Sequence, residues 1–130
     1  MVPSSLAGRL ETVYHAPVRI GVFVAKLDET PPATSPLFTE PERRYCLARR
    51  NPAPHLAGRY AAKRAACIAL GLGDEDTERL LPDVEVAREP GRAPTLNFLG
   101  TARRLGQPGA KSHVSISHSG NYAVALVVIE

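Results

Sequence analysis

His113 and His118 bracket the segment Ser112-His-Val-Ser-Ile-Ser-His118, and Ser115, Ser117 and Ser119 lie in or beside it. Histidine titrates near neutrality, which suits general acid–base work. Side chains alternate along a strand, so positions 113 and 118 point to opposite faces and at most one enters a given pocket. The serines stand in no compelling Ser/His/Asp order, so strand and turn roles account for them. A second concentration of chemistry is basic. Arg43, Arg44, Arg49, Arg50, Arg59, Lys63 and Arg64 share one stretch with no acid among them. Such a block attracts phosphate or an acidic partner, and equally suits a solvated helix face. It contains only Tyr45 and Tyr60 as aromatics and no nucleic-acid-binding module, so nucleic acid is not the expected partner. Asp74, Glu75, Asp76, Glu78, Asp83 and Glu85 follow as an acidic stretch. Cys46 and Cys67 are too few for a disulfide framework or a four-ligand zinc site.

The elements that must position these groups are legible locally. Val18 to Ala25 is apolar and β-branched and predicts a first strand. The proline-rich Asp28–Leu37 predicts a loop. Thr39-Glu-Pro-Glu42 has an N-cap, an early proline and a capping-box glutamate, and predicts a helix to about Arg50 that stops before Pro52 and Pro54. His55–Leu70 is alanine-rich and predicts the dominant helix, closed by Gly71 and Gly73. Asp83–Arg88 alternates as a strand. A turn at Pro90–Gly91, a strand at Thr95–Leu99, a short helix at Gly100–Leu105 and a turn at 107–110 follow. Ser112–His118 and Asn121–Ile129 flank a Ser119-Gly120 turn as a hairpin. The class is α+β, an antiparallel sheet packed on one long helix.

The 130 residues, 44% hydrophobic and 22% charged, suit one globular domain. Sixteen Lys and Arg against thirteen Asp and Glu give a net charge of +3. No apolar run approaches the roughly 20 residues of a membrane helix, and the first 17 residues lack a signal-peptide core. A reduced cytoplasmic setting is expected.

Three segments, Leu56-Ala-Gly-Arg-Tyr-Ala-Ala-Lys63, His113-Val-Ser-Ile-Ser-His-Ser119 and Tyr122-Ala-Val-Ala-Leu-Val-Val-Ile-Glu130, resemble in order and spacing the holo-acyl-carrier-protein synthases, the small 4'-phosphopantetheinyl transferases. The resemblance covers residues 18–130 and leaves 1–17 as an extension. It implies that fold, transfer of the phosphopantetheine arm of coenzyme A to a carrier-protein serine, and a homotrimer with sites between subunits. It also implies magnesium held by an Asp on the first strand and a Glu on the long helix, oxygen ligands that this hard cation prefers.

The sequence departs from that pattern. Phe23 stands at the Asp position, Arg64 at the Glu position and Ile68 at a phosphate-binding lysine one turn on. An Arg at about 4 Å from a divalent ion repels it by roughly 8 kcal/mol at an effective dielectric near 20. No metal is therefore expected, while anion binding stays open because a guanidinium grips phosphate bidentately. The segment that carries a carrier-docking helix in the family is here the loop Asp28–Leu37. The expected catalytic residues are His113 and Arg64. The expected substrate and phosphate contacts are Arg59, Lys63, Tyr45, Phe23 and Ile68. The leading expectation is a divergent protein without magnesium-dependent transfer, acting by metal-free acid–base chemistry on an acyl or polyketide intermediate linked to coenzyme A or an acyl carrier protein. The alternatives are a working holo-acyl-carrier-protein synthase and a non-catalytic scaffold that partners one.

Overall fold

Residues 18–89, 91–105 and 111–130 are described in the computed structural model. The expected extension over 1–17, Pro90 and the turn over 107–110 lie outside them. The elements run β1 (Arg19–Lys26), α1 (Glu40–Leu47), α2 (Pro52–Ala69), α3 (Asp74–Leu80), β2 (Val84–Ala87), β3 (Thr95–Phe98), β4 (Ser112–Ser119) and β5 (Tyr122–Ile129). The class is α+β, as expected. Two antiparallel sheets replace the single one: β1-β5-β4, and the ribbon β2-β3.

Period-two patterning explains the larger sheet. Ala123, Ala125, Val127 and Ile129 of β5 are buried on the side where α2 packs. The helix meets them with Ala57, Ala61, Ala62, Ala65, Ala66 and Ala69, all buried. Small side chains on both surfaces let helix and sheet approach closely. Gly21 marks the tightest point, since a Cβ there would lie 1.9 Å from the Ala65 carbonyl oxygen. That contact is with backbone, which cannot move aside without shifting the helix.

The other face of the same sheet is open. Ile20, Val22 and Val24 of β1 and Tyr122, Val124 and Leu126 of β5 are between 38% and 59% exposed. Apolar side chains gathered on one surface of a small domain mark an interaction face.

The structure corrects two boundaries. Pro52 and Pro54 open α2 instead of merely ending α1, because the first turn of a helix needs no amide donors. The helix thus begins at Pro52, and Asn51 before it is extended, as a residue preceding proline prefers. The preceding helix ends at Leu47 rather than Arg50. The acidic stretch supplies an unanticipated helix, α3, with Asp74, Glu75 and Asp76 at its positive end and Arg79 in its last turn.

Candidate functional site

Two consecutive turns of α2 carry Arg59, Lys63 and Arg64, and the fold gives each a different environment. Lys63 is fully buried. Its Nζ donates to Glu42 Oε1 at 2.7 Å and to the Val84 carbonyl at 2.6 Å. Glu42 in turn accepts from the amides of Thr39 and Val86 while Thr39 caps α1, completing the capping box. Burial pulls the Lys63 pKa below the ordinary 10.5, and Glu42 opposes that shift. Lys63 was expected to contact phosphate. The structure instead spends it inside the protein, because a cation without solvent needs a paired anion.

Arg59 is the opposite case. Only 2% of it is exposed, yet its Nε and Nη2 are buried with no hydrogen-bond partner among the described residues. Its guanidinium lies 4.2 Å from the Tyr45 ring centroid, and that of Arg49 lies 4.5 Å from the same ring. His55 packs edge-on to Tyr45 at 6.1 Å and to His118 at 5.5 Å. Burial, then Arg59, His118, Arg49 and Arg88, hold the His55 pKa below the ordinary 6.5. Burial also pushes the neighbouring Cys46 thiol up to about 11, so it is no nucleophile. A buried guanidinium with free donors among further cations is what an anion such as phosphate completes. Tyr45 and Arg59 were expected here, whereas His55 and His118 were not. His118 falls on the helix-facing side of β4 with Val114 and Ile116, and only the folded chain brings it to His55.

Phe23 and Arg64 do meet. The Arg64 guanidinium lies 5.0 Å from the Phe23 ring centroid and 5.8 Å from that of Tyr60, and the two rings pack at right angles 5.9 Å apart. Arg64 Nη1 donates to Glu78 Oε1 at 2.7 Å and lies 3.5 Å from the Tyr60 hydroxyl. Ile68 is 46% exposed. Magnesium needs oxygen ligands, and this pair offers a ring and a guanidinium. The carboxylate at hand, Glu78, already serves Arg64. Among the described residues no group of three or more His, Cys, Asp or Glu could hold a metal ion. The residues at these two positions do not fit magnesium.

His113 stands apart. Its Nε2 lies 2.6 Å from Glu130 Oε2, and both side chains are exposed. Its odd position on β4 turns it to the open sheet face, away from α2. The expected pairing of His113 with Arg64 is therefore not assembled within one chain, because the sheet separates them.

No family model matches the chain. Curated relatives do. It is 47% identical over 98 residues to a holo-[acyl-carrier-protein] synthase of Syntrophotalea carbinolica, covering 72% of this chain and 74% of that one. It is 42% identical over 96 residues to a holo-[acyl-carrier-protein] synthase of Koribacter versatilis, covering 72% and 76%. Among solved structures it resembles the ACPS–CoA complex of Chronobacterium ammoniagenes, with a TM-score of 0.76 and 25% identity over 88% of this chain and 98% of that one. Among the described residues no helix is long and apolar enough to cross a membrane.

Proposed function

Because the chain belongs to the holo-[acyl-carrier-protein] synthase family, we propose that it binds coenzyme A and moves the phosphopantetheine arm to a serine of an acyl carrier protein. The observation that carries the coenzyme A half is Arg59, a buried guanidinium with two donor nitrogens unpartnered among the described residues, beside Arg49, His55 and His118. A phosphate of the ligand satisfies those donors and offsets the gathered positive charge. In the transfer, the serine oxygen attacks the phosphorus next to the arm. The bond from that phosphorus to the bridging oxygen breaks, and adenosine 3',5'-bisphosphate leaves. His113, oriented by Glu130, takes the serine proton. The open apolar face of β1 and β5 supports a homotrimer, in which the His113 side of one sheet meets another copy.

The Phe23–Arg64 contact favours a second reading. In it the chain binds coenzyme A or a carrier-linked acyl or polyketide intermediate, and His113 and Arg64 act there without transfer. Incubation with apo carrier protein, coenzyme A and magnesium separates the two. A carrier that gains the phosphopantetheine mass establishes transfer. An unchanged carrier with measurable coenzyme A binding leaves the second reading standing. Neither transfer nor binding overturns both.

A further inference from the structure

Arg64 is held as a ligand-binding arginine needs to be held. Phe23 and Tyr60 flank its guanidinium, and its side chain is only 20% exposed. A delocalised, weakly hydrated cation tolerates such aromatic walls, and the walls fix the plane of its donors. One of its nitrogens, Nη1, is engaged by Glu78 and Tyr60. Among the described residues, Nε and Nη2 meet no acceptor. Glu78 is 66% exposed, so it returns to water at little cost when a stronger anion arrives. The arrangement is a preset cation with an exchangeable counter-ion.

We propose that Arg64 replaces the divalent metal as the counter-charge for the diphosphate of coenzyme A, with Glu78 as the carboxylate the ligand displaces, so that binding needs no magnesium. This rests on the coenzyme A reading above and adds to it the group that meets the diphosphate. The pair Phe23 and Arg64 is then a coupled exchange. A carboxylate at 23 would compete with the ligand for the guanidinium, whereas a phenyl ring holds it without neutralising it.

Calorimetric titration of coenzyme A into the purified protein tests this, once with excess EDTA and once with magnesium. The expected affinities agree within about twofold. Glu78→Gln sits on an exposed position and should not disturb folding. Freed of its competitor, Arg64 should bind coenzyme A severalfold more tightly. Arg64→Ala should weaken binding roughly 10- to 100-fold under both conditions, the range for losing charge-assisted hydrogen bonds. The double change Phe23→Asp with Arg64→Glu should make binding magnesium-dependent, with circular dichroism checking that it folds. Native binding at least tenfold weaker in EDTA overturns the proposal. So does an affinity unmoved by both Glu78→Gln and Arg64→Ala. If Arg59→Ala then abolishes binding, the coenzyme A reading survives alone. No coenzyme A binding under either condition removes both.

Discussion

Arg59 and Arg64 lie little more than one turn apart on the same helix, and the fold treats them oppositely. Both guanidiniums lie over aromatic rings, but Arg64 also has an acidic partner. Arg59 is more deeply buried and, among the described residues, has two donor nitrogens without an acceptor. Lys63 between them shows what a finished buried cation looks like, since it has a carboxylate and a carbonyl within hydrogen-bond distance. Proteins rarely leave buried donors unpaired, because each costs about 1–3 kcal/mol. The contrast separates a cation that holds the fold, Lys63, from two that face a ligand, Arg64 with an exchangeable partner and Arg59 with none among the described residues.

Removing Lys63 should have the largest effect. Lys63→Met leaves Glu42 buried and charged, and losing one partner of such a pair costs about 3–5 kcal/mol. A denaturant titration should show that loss. Adding Glu42→Gln should recover part of it, because the stranded charge goes too. A single variant as stable as the native protein would show that the pair does not carry the packing between α1, α2 and β2.

Arg59→Met should reverse the pattern. It removes an orphaned cation, so stability should stay level or rise by about 1 kcal/mol, while coenzyme A affinity falls about tenfold or more. Destabilisation comparable to Lys63→Met, with affinity intact, would make Arg59 a structural residue and erase the contrast.

Much of this arrangement is visible in the residues, and its limits are physical. The strands and α2 announce themselves because apolar alternation and alanine content act locally. Phe23 and Arg64 are legible as candidates because each stands inside a motif. Pro52 misleads because a proline ends one helix and starts the next by the same missing donor. The acidic stretch hides α3 when its carboxylates are counted as charge rather than as a helix start. His55 and His118 carry no local mark, since they meet only when β4 is laid against α2. The sharing of Glu42 between capping box and Lys63 likewise needs the tertiary fold.

The two faces of the sheet extend the contrast to assembly. Val22→Lys with Val124→Lys places charge on the open face and leaves the α2 side untouched. Light scattering should then report a smaller particle than for the native protein. Reaction of the remaining species with carrier protein should fall, while coenzyme A affinity at Arg59 changes less. An unchanged particle mass would remove the open face as the contact between copies.

The smallest effect is a pH slope, and its sign distinguishes the empty site from the filled one. His55 resists protonation in the folded chain because burial, Arg59, His118, Arg49 and Arg88 disfavour its charge. The unfolded chain binds that proton near the ordinary 6.5. Below that pH the unfolded state therefore binds more protons, and linkage requires the free protein to lose stability as pH falls. A bound phosphate reverses the local field and favours the protonated ring. Coenzyme A binding should then take up a proton, and affinity should rise as pH falls from about 7.5 to about 5.5. His55→Phe should flatten both slopes while keeping the ring packed on Tyr45. An affinity that stays flat over the same interval would mean that the ligand phosphate settles beside Arg64 alone and that the cluster around Arg59 remains unfilled.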